Sequence, residues 1–275
     1  MFRTFLLALA ALACSAAAQA QESLAIGSFN VESDLDTQAE RVAEDFARLP
    51  PLHVWALQEV ADQETLDLFV ETLSETTGFQ YAGHMGASGS GHNNHLAFAY
   101  IQQAFTDVAF EEIDGIGSSR HPLIMRAASP SGQPLTFVNT HLTRGDERAR
   151  EGEARSLRTW ITNHDDEALV LMGTFNFDYD FRGSRTGGNQ AFVTFSRGGH
   201  VSWPQPMCIA NETCPVTGSQ CNAQYSNFLD FIFLAGAAFD WRARTDLAFL
   251  GEEYCRRDPR GYSDHRPLMG QILVE

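Results

Sequence analysis

Short apolar runs alternate with polar stretches from residue 24 onward, and the length and period of each run predict a strand or a helix. Leu24 to Phe29 reads as a strand. After the polar stretch Asp34 to Glu40, Val42, Phe46 and Leu49 fall on one face of a helix that Pro50-Pro51 stops. His53 to Leu57 is a buried strand, and Thr65 to Thr77 is a second amphipathic helix closed by Gly78. The chain opens as β-α-β-α.

Gly86 to Asn94 is rich in Gly, Ser, His and Asn and reads as a loop leading into a strand at Leu96 to Ile101. Leu123 to Ala127 and Leu135 to Asn139 form an antiparallel hairpin across the turn Ser129-Pro130-Ser131-Gly132. Arg148 to Asn163 is a surface helix with Ala154, Leu157 and Ile161 as its apolar stripe. Leu169 to Met172, Phe228 to Leu234 and Leu268 to Val274 supply further strands. Helices that alternate with strands early and give way to hairpins indicate mixed sheets, not a doubly wound parallel sheet.

Six short polar clusters, most of them at or near the ends of these runs, stand out: Ser28-Phe29-Asn30, Gln58-Glu59, Asn139-Thr140-His141, Gly173-Thr174-Phe175-Asn176, Leu229-Asp230-Phe231 and Ser263-Asp264-His265. In this order they resemble the endonuclease/exonuclease/phosphatase superfamily, the metal-dependent phosphoesterases typified by deoxyribonuclease I. The resemblance spans residues 28 to 265. It implies an α/β fold, a four-layer α/β/β/α sandwich of two mostly antiparallel sheets with outer helices, whose site opens at one edge. The segment Phe175 to Asp180 resembles a bacterial exported branch of that superfamily.

A phosphoester resists hydrolysis because its anionic oxygens repel the nucleophile, so a site must neutralise charge, orient water and stabilise the leaving oxygen. Hard cations such as Mg²⁺ take oxygen ligands. Glu59 is the leading metal ligand, with Asn30, Glu32 and Asp264 as companions; Mn²⁺ or Ca²⁺ are alternatives to Mg²⁺. Taken singly, Glu59 and Glu32 also read as solvated glutamates and Asn30 as a turn residue. His141 and His265 are candidate phosphate binders and proton donors. Asp230 interrupts an apolar stretch and needs a partner, which the resemblance implies is His265. The resemblance also implies that Asn176 holds phosphate and the attacking water, and that Arg120 contacts substrate phosphate. Asn94 is a further candidate for substrate binding or for orienting an imidazole. Arg144 and Arg148 follow His141 as additional candidates.

One position departs from the family pattern. The fourth cluster in that family reads Gly-Asp-x-Asn, and here the aspartate is Thr174. Threonine has no anionic state near neutral pH and cannot act as a carboxylate base. Loss of a general base costs on the order of 10² to 10⁴ in rate. The expectation is therefore a metal-dependent phosphodiesterase or nuclease, acting on DNA or RNA, that is slow or uses another base. The rivals are an impaired homologue that binds a phosphorylated ligand, and a small-molecule or lipid phosphatase or phosphodiesterase.

Composition narrows the partners. All 19 basic residues are arginine and the formal net charge is −16, which excludes lysine nucleophiles and any broad basic face for nucleic acid. A polyanionic substrate must be met locally, by arginines and metal ions. Residues 1–20 read as an export signal, with Arg3, the apolar run Phe5 to Ala13 and the small-x-small end Ala18-Gln19-Ala20. A retained anchor and a lipoprotein modified at Cys14 are the minority alternatives. Residues 21–275 would then form one domain of a periplasmic or secreted protein, monomeric and without stable membrane insertion. Its four cysteines, an even number, favour two disulfides over a zinc site, because no Cys-x-x-Cys pair occurs and histidines are not clustered with them; three connectivities are possible, and Cys208 with Cys214 and Cys221 with Cys255 is the favoured one.

Overall fold

A computed structural model of the protein describes residues 22–32, 37–90, 94–117, 119–182, 186–222, 227–257 and 261–275. The expected export signal lies outside the described residues, as does part of the Asp34 to Glu40 stretch. The first half contains β1 (Glu22–Asn30), α1 (Ala39–Phe46), β2 (Val54–Val60), α2 (Gln63–Thr77), β3 (Tyr81–Ser90), β4 (Asn94–Ile101), β5 (Thr106–Glu112) and β6 (Leu123–Ala128). It continues with β7 (Pro134–His141), α3 (Glu147–Thr162), β8 (Ala168–Tyr179), α4 (Gln190–Ser196), β9 (Val201–Ser202) and α5 (Met207–Ala210). β10 (Phe228–Gly236), β11 (Ala243–Leu247), α6 (Glu252–Cys255) and β12 (Leu268–Val274) complete it.

The strands form two six-stranded sheets, ordered β11-β12-β1-β2-β4-β3 and β5-β6-β7-β8-β10-β9. In each sheet one neighbouring pair is parallel, β1 with β2 and β7 with β8, and the rest are antiparallel. Helices cover the outer faces, so the central strands are buried on both sides and read as continuous apolar runs. On the first sheet, Phe46 of α1 meets Phe29, Trp55 and Phe69 with ring centroids 5.5, 5.5 and 5.0 Å apart. On the second, Phe195 of α4 packs on Phe175 and Phe233 at 5.5 and 5.1 Å. Each such side chain contributes about 1.5–3 kcal/mol by burial.

The inner faces are keyed by one amide. Asn139 of β7 donates through Nδ2 to the carbonyls of Leu57 and Ala97, both at 2.8 Å, while Gln58 Nε2 donates to Asn139 Oδ1 at 2.8 Å. The carboxamide is fully buried and bonded at both ends across the sheets, so it adds specificity without an unsatisfied polar atom.

The expected strands, hairpin and helices are present. One expectation is corrected: Gly86 to Ser90 continue β3, although they were expected as a loop. A Cβ on Gly86 would lie 2.5 Å from Glu112 Oε1, and one on Gly89 would lie 2.8 Å from the His95 ring. These glycines admit neighbouring side chains within a strand, so their loop-like composition misleads. Both expected disulfides, Cys208–Cys214 and Cys221–Cys255, are formed.

Candidate active site

Three polar side chains stand abreast on adjacent strands of the second sheet. Thr174 of β8 is in register with His141 of β7 on one side and with Asp230 of β10 on the other. All three are buried. Gly173 allows this approach: its φ is 150°, and a Cβ there would fall 1.9 Å from the Thr140 carbonyl oxygen. From the first sheet, Asn30 Nδ2 reaches across to Thr174 Oγ1 at 3.4 Å. Glu59 arrives by a bulge, where the β2–β4 register shifts between Gln58 and Val60 and Glu59 takes φ 62°. The bulge removes Glu59 from the alternation that sends Trp55 towards the helices.

Thr174 Oγ1 donates to Asp230 Oδ1 at 2.7 Å, and His265 Nδ1 meets Asp230 Oδ2 at 2.8 Å. The His265 loop is tied to β1 by Ser263, whose hydroxyl donates to the Asn30 carbonyl at 2.7 Å and accepts from the His265 amide at 2.9 Å. Behind it, the Tyr254 hydroxyl donates to the His265 carbonyl at 2.8 Å.

The two histidines are pushed in opposite directions. Burial pushes the His265 imidazole down, but the adjoining Asp230 carboxylate, with Asp264 and Glu59 nearby, overcomes it and raises the pKa to about 9. Burial also lowers His141, and there the positive charges of Arg120, His265 and Arg144 add to it, holding the ring well below its usual range. His141 Nδ1 lies 3.3 Å from Glu59 Oε1 but is not aligned for a hydrogen bond. One imidazole is charged at neutral pH and the other is neutral.

The remaining expected residues fall as follows. Arg120 Nη1 lies 3.8 Å from Glu59 Oε1 and donates to Asn94 Oδ1 at 3.0 Å, so Asn94 positions an arginine where an imidazole was one of the expected partners. Asn176 takes φ 54°, and its Nδ2 donates to the Leu142 carbonyl at 2.8 Å. Glu32 Oε1 accepts from the Thr37 amide at 3.1 Å and from its hydroxyl. Asp264 Oδ2 accepts from Gln220 Nε2 at 3.0 Å.

Gln220 and Ser219 are site residues that the sequence reading did not single out. Gln220 Nε2 also lies 3.4 Å from His265 Nε2, and Ser219 Oγ accepts the amides of Leu229 and Asp230 at 2.9 and 3.2 Å. They sit in an irregular loop with no flanking apolar run, so the only local signal was the neighbouring Cys221.

Among the described residues, no three His, Cys, Asp or Glu side chains gather closely enough to enclose a metal ion. The expected set of Glu59, Asp264, Asn30 and Glu32 is therefore not a closed cage. The donors are nonetheless hard oxygens, and Glu59 and Asp264 both act electrostatically on His265. A cation such as Mg²⁺, which keeps several waters and takes one or two carboxylates, fits such a set.

The Endonuclease/Exonuclease/phosphatase family model matches residues 27–265. The chain belongs to this family. Members of the endonuclease/exonuclease/phosphatase family are phosphoric ester hydrolases, and they generally use divalent metals. Among curated proteins, none matches the sequence significantly. Solved structures share the fold at low identity. An endonuclease/exonuclease/phosphatase family protein from Bacteroides thetaiotaomicron is 15% identical with a TM-score of 0.63, over 94% of this chain and 100% of that one. Truncated Caenorhabditis elegans TDP2 is 15% identical with a TM-score of 0.59, over 92% and 98%. ANGEL2, a 2′,3′-cyclic phosphatase, is 13% identical with a TM-score of 0.61, over 92% and 95%. No helix among the described residues is long and apolar enough to cross a membrane.

Proposed function

We propose that this protein is an exported, divalent-cation-dependent phosphoesterase that hydrolyses phosphodiesters, with DNA or RNA as the substrate class, and that residues 21–275 act as one monomeric domain in the periplasm or outside the cell. The observation that carries the reading is the convergence of His141, Thr174 and Asp230 on three adjacent strands, with His265 bonded to Asp230 and Asn30 and Glu59 reaching in from the facing sheet. The two disulfides suit an oxidising compartment. The phosphatase name of ANGEL2 adds support for phosphoester chemistry.

Glu59, Asp264 and Asn30 are the residues that would hold the cation, which supplies charge neutralisation and a more acidic bound water. The chain's own groups divide the proton work. His265, charged and fixed by Asp230, donates to the leaving oxygen. His141, kept neutral, accepts the proton of the attacking water in place of the absent aspartate. Two titratable groups pushed apart by their surroundings mark such an acid and base pair. Arg120, held by Asn94, and Asn176 hold the phosphate oxygens.

The test compares the natural protein, Thr174→Asp, His141→Gln and His265→Ala on plasmid DNA and a chromogenic phosphodiester, with Mg²⁺ and with chelator. Metal-dependent cleavage by the natural protein that both histidine variants lose supports the reading. Cleavage only by Thr174→Asp refutes it and leaves the second reading, a scaffold that binds phosphorylated ligands without turning them over. That second reading has one specific observation in its favour, the neutral Thr174 bonded to Asp230.

A further inference from the structure

Beside Asn176 lies a cavity of about 170 Å³ lined by Arg144, Gly145, Glu147, Arg150, Asp178 and Leu229. That is room for about six waters at about 30 Å³ each, and so for one phosphate group. Arg150 is only 5% exposed, and its guanidinium is poorly matched by the protein. Nη1 donates to the Thr143 carbonyl at 3.1 Å, Nη2 lies 3.5 Å from Asp178 Oδ2, and Nε has no partner. Charge-assisted hydrogen bonds run at about 2.7–2.9 Å, so the contact to Asp178 is a loose one. Asp178 is itself engaged by Asn189 Nδ2 at 2.9 Å. Gly145, just before α3, and Glu147, its first residue, also line the cavity. A buried planar guanidinium whose carboxylate contact is loose, a second arginine and the Asn176 side chain favour an anion with several acceptor oxygens.

We infer that the Arg144/Arg150 cavity takes a second phosphate group of the substrate, next to the one held at Asn176. This rests on the phosphoester reading of the site and deepens it. The substrate class becomes one with neighbouring phosphates, as along a nucleic acid backbone, in preference to an isolated diester. Such local recognition also suits a chain of net charge −16.

Calorimetric titration with thymidine 3′,5′-bisphosphate, thymidine 5′-monophosphate and inorganic phosphate, in Mg²⁺, tests this without requiring turnover. The bisphosphate should bind about tenfold more tightly than either single phosphate, the scale of one charge-assisted contact. Arg144→Ala and Arg150→Lys should bring the three affinities together, while Arg155→Ala, on the exposed face of the same helix, should keep the preference. Arg144 is only half-buried, so its variant remains informative if the Arg150 variant fails to fold. Equal affinities in the natural protein, no binding of any probe, or a preference that survives Arg144→Ala overturns the inference. A bisphosphate preference in a protein that hydrolyses nothing would remove the enzyme reading and leave the subsite. Hydrolysis without that preference does the reverse.

Discussion

Thr174 and Asp230 face each other directly across β8 and β10, and the threonine hydroxyl satisfies the carboxylate oxygen that His265 leaves free. Thr174→Val keeps the shape and deletes the donor, so Asp230 Oδ1 is left buried with its partner lost. Denaturant unfolding should show a loss of about 1–3 kcal/mol, and Thr174→Ser should recover most of it. If valine is neutral, the threonine contributes packing alone.

The charged His265–Asp230 pair makes stability pH-dependent. His265 is raised from the usual 6.5 to about 9, so the folded state binds its proton more tightly than the unfolded state does. The stability this contributes is complete below about pH 6.5 and is lost as pH rises through about 9. Melting curves in chelator between pH 6 and pH 10 should fall more steeply for the natural protein than for His265→Asn. Parallel curves would mean that the imidazole is not held charged.

Gly173 admits no side chain. With φ at 150° and the Thr140 carbonyl in the way, Gly173→Ala must separate β7 from β8 at the site. A loss of about 3 kcal/mol or more is expected from the combined strain and clash. The fall in activity should exceed the fall in folded fraction, because His141 and Thr174 lie on the strands being parted.

The Cys221–Cys255 bridge links the two segments that flank His265, since Gln220 reaches its ring and Tyr254 its carbonyl. Closing a loop across 34 residues is worth about 2–4 kcal/mol. The Cys221→Ser/Cys255→Ser double variant should lose that stability, and its kcat should drop more than that of Cys208→Ser/Cys214→Ser, whose bridge encloses only a short loop. Equal effects in a paired activity and unfolding assay would argue against a positioning role for the bridge.

Most of the framework was legible because buried strands and amphipathic helices carry strong periodic signals. Leu135 to Asn139, Leu169 to Met172 and Phe228 to Leu234 are near-continuous apolar runs. β5 was missed because it lies at a sheet edge and exposes most of its alternate positions, so it offers no such run. β3 was hidden by glycines placed for close approach. Within the site, residues at strand ends could be located from sequence, but partners could not. Nothing local to Thr174 says that it stands opposite Asp230, because that pairing is set by the β8–β10 register, which runs unbroken from Ala168 opposite Gly236 to Thr174 opposite Asp230 and joins segments far apart in sequence. Glu32 reads as a metal ligand from its position after β1, and the sequence gives no sign that its carboxylate also accepts from the Thr37 amide and hydroxyl.

The Asn139 amide has a mechanical consequence. By bonding two carbonyls of the facing sheet two residues before His141, it sets the spacing between the halves that carry His141 and Glu59. The gap cannot breathe as a hinge without breaking several buried hydrogen bonds at once. The two inner faces are thereby locked together immediately behind the site, which rests on a rigid mount.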